Sequence, residues 1–334
     1  MKYLFTLCIF MLIPILYGQD SGGVKWMSIE EAEQQSKIQQ KPLLIDFYTD
    51  WCGWCKVMDK NTYSVPGLAS YINMYFYPVK FNAETHDTLV FKGDTLMNKG
   101  TGNRSAHEFA IRMLGGNMSY PTTVFMTADL KSSMMVPGYL EPKNLEPFLV
   151  YYTENIYKTT QAEAFNQLYQ KAFYDSTYKP SDTLKWYSLP EALSLSAKMP
   201  KKVLVFLRTE WCTGCKVMER TSWGDPVIAT YLRDNFYPVL LDAQTQDTIT
   251  YKDKQYVNGG AETNQFHQLA ISLSQNQLIL PTTLVLEPTG NVITAVPYFF
   301  TPQDMEPILA FFKEDAFLTQ KWEEYRDKFL ARKK

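Results

Sequence analysis

Four cysteines define the chemistry open to this chain. Cys52 and Cys55 lie in Trp51-Cys52-Gly53-Trp54-Cys55, and Cys212 and Cys215 lie in Trp211-Cys212-Thr213-Gly214-Cys215. Two cysteines at this spacing on the first turn of a helix can close a small disulfide, and the unpaired amides and dipole of the helix end stabilise the thiolate of the first. That makes Cys52 and Cys212 the nucleophiles, with Lys56 and Lys216 adding positive charge nearby. Each would attack a foreign disulfide, and Cys55 or Cys215 would resolve the mixed disulfide from within the same turn. Zinc is the competing use of paired cysteines, but a zinc site draws its two pairs from segments about 15 to 20 residues apart. A purely structural role fits poorly too, because so short a loop removes little entropy from the unfolded chain.

An internal duplication positions both pairs. A constant offset of 160 residues carries Trp26 onto Trp186, Cys52 onto Cys212, Phe76-Tyr77-Pro78 onto Phe236-Tyr237-Pro238, His107 onto His267 and Pro121 onto Pro281 without a gap. Two units of this length are a duplicated domain, not a solenoid. The chain of 334 residues, 46% hydrophobic and 20% charged, is long and apolar enough for two cores.

Each unit opens with a Ser-x-x-Glu capping box, Ser28 to Glu31 and Ser188 to Glu191, which predicts a helix start. Residues 43–48 and 203–207 are apolar runs that read as buried strands leading into the Trp-Cys pairs, so a helix must begin at the cysteines. Residues 76–81 and 236–241, then 122–126 and 282–286, read as further strands. Helices through 145–152 and 305–312 end the units. Residues 88–94 have the alternation and turn chemistry of an inserted hairpin. The spacing of Phe165, Leu168, Tyr169 and Ala172 predicts an amphipathic helix bridging the domains, and Trp322, Tyr325 and Phe329 repeat it at the C-terminus. Strand and helix alternate, so the fold class is α/β. His107 and His267 share a repeat position, but no second histidine or acidic cluster recurs beside them, which favours structural roles over metal ligation.

The run Phe47-Tyr48-Thr49-Asp50-Trp51-Cys52-Gly53-Trp54-Cys55-Lys56 resembles the active-site strand-to-helix junction of the thioredoxin superfamily, and the likeness recurs in the second unit. After Lys41-Pro42, it most resembles secreted thioredoxin-like proteins related to the soluble reductase domain of the thiol:disulfide interchange protein. The resemblance implies two tandem domains, residues 24–158 and 184–334, each a central mixed sheet flanked by helices, joined by a helical linker at 159–183. It implies that Pro121 and Pro281 are the superfamily's cis-proline, which faces the cysteines and presents its neighbouring backbone to a substrate chain. Tyr120, Leu280, Trp51, Trp54 and Trp211 would line that surface. It further implies that Asp46 is the buried acid that relays a proton to the resolving cysteine, and that Lys80 pairs with it. The second unit has Phe206 and Leu240 at those positions, leaving its centre without that acid. Losing both together is what an unpaired buried charge would demand, and the two centres would not be redox equivalents.

Lys2 precedes an apolar run from Tyr3 to Tyr17 that carries Pro14, and Gly18, Gln19 and Asp20 follow. This is the layout of a secretory signal peptide, here residues 1–18, and the run falls short of the ~20 apolar residues of a spanning helix. Cys8 would leave with it. The remaining cysteines all sit in redox-type pairs, not at the long spacings of a disulfide framework. A formal charge of -2 gives no electrostatic reason to expect nucleic acid or anionic lipid as a partner. The sequence thus points to a periplasmic thiol-disulfide oxidoreductase that reduces protein disulfides, recharged by an upstream thiol protein and needing neither metal nor cofactor beyond its cysteines. Net oxidase or isomerase action is an alternative, and so is a substrate-binding or chaperone module with inert cysteines. The first turns on reduction potential, about 1.4 kcal/mol per 30 mV.

Overall fold

Ser28 begins the first helix by reciprocal capping. Its hydroxyl accepts the Glu31 amide at 3.1 Å and the Glu31 carboxylate accepts the Ser28 amide at 2.9 Å, so two otherwise unpaired donors are satisfied where α1 (Ile29–Ile38) starts. At Ser188 only half of the box forms. Its hydroxyl accepts the Glu191 amide at the head of α7 (Leu189–Lys198), while the Glu191 carboxylate turns to Lys185. The computed structural model describes residues 22–259 and 266–332. The segment read as a signal peptide lies outside them, and among the described residues no helix is long and apolar enough to cross a membrane.

Each unit is built on a four-stranded mixed sheet. In the first, β1 (Leu43–Tyr48) pairs parallel with β2 (Tyr77–Asn82) and antiparallel with β5 (Thr122–Met126), which pairs with β6 (Ser133–Pro137) to give the order β2-β1-β5-β6. The second repeats this with β7 (Lys202–Arg208), β8 (Phe236–Asp242), β11 (Thr282–Leu286) and β12 (Val292–Pro297) in the order β12-β11-β7-β8. Successive residues of β1 face opposite sides. Leu43, Ile45 and Phe47 enter one core with Ile29 and Phe109, whereas Leu44 enters the other with Met58, Ile72 and Leu149. Asp46 therefore shares the face of Leu44, on which the cysteine-bearing helix packs.

The predicted hairpin exists as β3 (Leu89–Phe91) and β4 (Asp94–Leu96), and it recurs in the second unit as β9 (Ile249–Tyr251) and β10 (Lys254–Tyr256). Positive φ at Lys92 and Gly93, and again at Lys252 and Asp253, turns the chain tightly enough for a two-residue loop. The edge strands β6 and β12 were not part of the sequence reading. Nor was a single turn of π-helix after each cysteine helix, at Asp59–Tyr63 and Glu219–Trp223.

The segment bridging the units is helical. α5 (Pro142–Thr153) ends the first unit and α6 (Ala162–Phe173) folds back on it, burying Phe165, Tyr169 and Ala172. α6 also touches the cysteine helix of the second unit, and one continuous apolar core runs from Leu44, Phe76 and Phe125 through Leu149, Phe165 and Tyr169 to Phe206 and Leu284. The two sheets thus share a buried seam. At the C-terminus α11 (Pro302–Lys313) and α12 (Trp322–Arg332) repeat the pair, with Trp322 and Tyr325 packed on Phe311 of their own unit.

Candidate functional site

β1 delivers the first cysteine pair to a helix start. Cys52 is the N-cap of α2 (Gly53–Met58), its sulfur receives the Cys55 amide at 3.0 Å, and the two cysteines are joined as a disulfide. The exposed Trp51 indole donates to the Glu84 carboxylate at 2.9 Å, and the Arg104 guanidinium lies 4.7 Å over its ring. Trp54 is 62% exposed and leans on Tyr139 at 5.6 Å. Register pairs Phe47 with Thr122, so Pro121 falls at the end of β1 from which the chain enters the cysteine turn. The Tyr120–Pro121 peptide bond is cis. The Tyr120 ring meets the Trp51 edge at 6.2 Å, and burial pushes its phenol up to about 12. The result is an aromatic wall around a disulfide whose Cys52 keeps 4% of its surface.

Asp46 is almost wholly buried on β1. Its Oδ2 lies 3.4 Å from the Lys80 ammonium, and its Oδ1 has no hydrogen-bond partner. Burial raises its carboxyl to about 7, outweighing the pull of Lys80. Lys80 is shared: it also bonds Asp59 of the π-turn, a partner absent from the sequence reading. In the second unit Phe206 packs on Trp223 at 5.5 Å where the first has Asp46 and Tyr63. The charge there has moved outward, with Arg208 bonded to Glu210 and set 3.3 Å from Glu219.

The second pair has the same local frame. Cys212 caps α8 (Thr213–Met218) and is joined to Cys215, Trp211 donates to Gln244 at 2.9 Å, and the Leu280–Pro281 bond is cis. Its surroundings differ. Cys212 and Cys215 are both 0% exposed, and Glu154, just past the end of α5 in the first unit, reaches across to them. Its carboxylate accepts the Thr213 amide at 2.8 Å and the Gly214 amide at 2.7 Å, and it lies 3.4 Å from Cys212 Sγ. Glu154 as a residue is only half-buried, but its carboxylate end is enclosed, and that desolvation raises it to about 7 against the two amide bonds that lower it. Sequence reasoning missed Glu154. Nothing near position 154 marks it, because its partners come from the other unit.

His107 and His267 occupy N-caps. In each the Nδ1 accepts a backbone amide, from Phe109 or Leu269, so the Nε2 carries the proton and donates to the carbonyl of Asp87 or Asp247 at 3.0 Å. Both ring nitrogens are thereby used. Among the described residues no cluster of three or more metal-ligating side chains occurs.

Comparison with known proteins agrees with this geometry. Residues 29–153 match the family described as a thioredoxin-like domain, and residues 185–269 match a second family described as thioredoxin-like, together more than half of the chain. The chain belongs to the thioredoxin superfamily, as two such domains in tandem. A 55-residue stretch is 36% identical to the thiol:disulfide interchange protein DsbD of Vibrio vulnificus, covering 16% of this chain and 9% of that protein. A 74-residue stretch is 31% identical to an uncharacterized protein of Archaeoglobus fulgidus, covering 22% of this chain and 58% of that one. The chain thus spans about a tenth of the DsbD relative's length. Among solved structures, a Thermus thermophilus thioredoxin is 20% identical with a TM-score of 0.29, covering 38% of this chain and 85% of that one. The C-terminal domain of Neisseria meningitidis DsbD is 14% identical with a TM-score of 0.26, covering 38% and 92%. The chain therefore has a thioredoxin-like oxidoreductase fold with two Cys-x-x-Cys pairs, each at disulfide distance.

Proposed function

We propose that the protein is an exported thiol-disulfide oxidoreductase that reduces disulfides of other proteins, and that Cys52–Cys55 is the centre that meets them. The observation that carries this reading is the capped helix start at Cys52, set among the aromatic side chains of Trp51, Trp54 and Tyr120 beside a cis-proline. Export is supported by the basic residue and apolar run at the N-terminus.

In the reduced protein the Cys52 thiolate attacks one sulfur of a substrate disulfide. A Cys52–substrate bond forms, the substrate S–S bond breaks, and the departing sulfur leaves as a thiolate that takes a proton. Cys55 then attacks Cys52 Sγ, which releases the second substrate thiol and closes Cys52–Cys55. Asp46, on the face of β1 beneath α2, is the base for the Cys55 proton in this step. Two electrons have passed from the protein dithiol to the substrate. A donor dithiol protein must restore them by the reverse exchange.

The test is Cys55→Ser, which permits attack and forbids resolution. In cells it accumulates covalent adducts on Cys52 that collapse on treatment with dithiothreitol and are absent when Cys52 is also replaced. Failure to recover any adduct would remove the enzymatic reading of this centre.

A further inference from the structure

The repeat register shows what sits on each centre. Position 54 of the first domain, Trp54, corresponds to Gly214, and Tyr139 corresponds to Phe299. Around Cys52, Trp54 of this pair is open to solvent, while Tyr139 is half-buried beneath it. Around Cys212 the same ground is taken by the corner that follows α5. Glu154 holds the Thr213 and Gly214 amides, the Thr159 hydroxyl donates to the Phe299 carbonyl, Lys158 donates to the Tyr298 hydroxyl at 2.9 Å, and Phe165 meets the Phe299 ring at 5.2 Å. Gly214 leaves just enough room. A Cβ there would stand 2.6 Å from a Glu154 carboxylate oxygen and 3.1 Å from Ile156 Cδ1. A side chain at this position would have to push the Glu154 carboxylate off the amides it holds.

The seat also removes what makes such a cysteine reactive. A thiolate at a helix start is stabilised by the free amides of the first turn and by the helix dipole. Here a carboxylate uses two of those amides and places its own charge beside the sulfur, which disfavours a second negative charge on Cys212. The groups facing Glu154 are Cys212 and the two amides from α8, with Tyr71 of α3 (Pro66–Tyr75) behind it, bonded to Thr153. Among the described ion pairs none involves Glu154.

We propose that Glu154 decides which centre exchanges with outside thiols: seated on α8, it keeps Cys212–Cys215 shut, and that pair reacts only when the corner at residues 154–160 lifts away. The inference rests on the cysteines being exchange-competent, as proposed above, but not on any protein substrate. Its test therefore uses a small reductant, so that failure to find substrates and failure of the gate are told apart.

The full chain is treated with limiting tris(carboxyethyl)phosphine at neutral pH, quenched with a thiol tag, and digested so that each pair is scored separately. Cys52–Cys55 is expected to open at least ~10-fold faster than Cys212–Cys215, a factor worth about 1.4 kcal/mol. Glu154→Ala, which deletes both the two amide bonds and the neighbouring charge, is expected to speed opening of the second pair and to lower the Cys212 thiol pKa by about one unit, as removal of a neighbouring like charge does. Gly214→Trp, which evicts the corner sterically, should speed it as well. Opening of Cys52–Cys55 in the same molecules reports whether the fold is intact and should not change. Equal rates for the two pairs in the unaltered chain overturn the proposal. So do variants that leave the second pair slow with its thiol pKa unmoved, or that speed both pairs alike.

Discussion

Two centres that share one register, one capped helix start and one cis-proline differ in almost everything around their sulfurs. The first has a buried acid below it, a shared lysine and an open aromatic wall. The second has phenylalanine and leucine in place of the acid and lysine, and a lid made by its neighbour. The difference shows that Cys-x-x-Cys sets only the possibility of exchange. On the proposed gate, access to the sulfur and the charge next to it decide whether exchange occurs.

The sharpest way to break the comparison is to remove the two nucleophiles in turn. Cys52→Ser is expected to abolish reduction of an external protein disulfide by the intact chain, while Cys212→Ser leaves more than half of it, measured with an insulin-type turbidity assay. Equal losses would mean that the second centre works in series with the first and is not shut.

The buried acid comes next. Asp46 has its carboxyl raised from 3.8 to about 7, so the folded state holds its proton more tightly than the unfolded chain does. Its contribution to stability is full below the ordinary carboxyl value and is lost as pH rises through about 7. Asp46→Asn should therefore gain stability relative to the unaltered chain on going from pH 4 to pH 8, by on the order of a few kcal/mol. Urea midpoints across that range check it. A constant difference between the two proteins would show that Asp46 is not desolvated in solution.

The smallest effect concerns the lid. Burial holds Glu154 near 7 against its usual 4.5, so the seated corner binds a proton that the lifted one releases. Seating is tightest in acid and weakens as pH rises between those two values. The opening rate of Cys212–Cys215 relative to Cys52–Cys55 should rise several-fold from pH 5 to about pH 7 and level off above it. Glu154→Gln should flatten this profile, and a ratio that falls with pH would reverse the assignment.

Much of this architecture is legible in the sequence because it depends on local signals. The capping box at Ser28, the apolar runs of β1 and β7, the strands after Pro121 and Pro281, and the stripe of Phe165 and Tyr169 each follow from a period or a cap within one segment. The edge strands β6 and β12 escape because their residues are half-buried or exposed on both faces, which erases the alternation that marks a strand. The π-turns escape because Asp59–Tyr63 and Glu219–Trp223 carry no residue that forbids an α-helix. Of the site, the cysteines, prolines and tryptophans can be named from spacing and resemblance. Asp59 and Glu154 cannot, since a shared cation and an interdomain hydrogen bond between residues 60 positions apart arise only once the chain has folded.

The corner that carries Glu154 has a twin. Glu314 stands at the same repeat position, after α11, and its carboxylate accepts the Tyr325 hydroxyl at 2.9 Å. In the first domain the residue matching Tyr325 is Phe165, which has no hydroxyl and leaves Glu154 free to reach outward. A head-to-tail contact between like domains is heterologous, and repeated from molecule to molecule it would run on as a filament. The two free ends differ from the joint: at one, Tyr325 holds Glu314 within its own domain, and at the other the exposed Trp54 stands where Gly214 admits Glu154. Aromatic side chains at two repeat positions thus distinguish the free ends of the tandem from its internal joint.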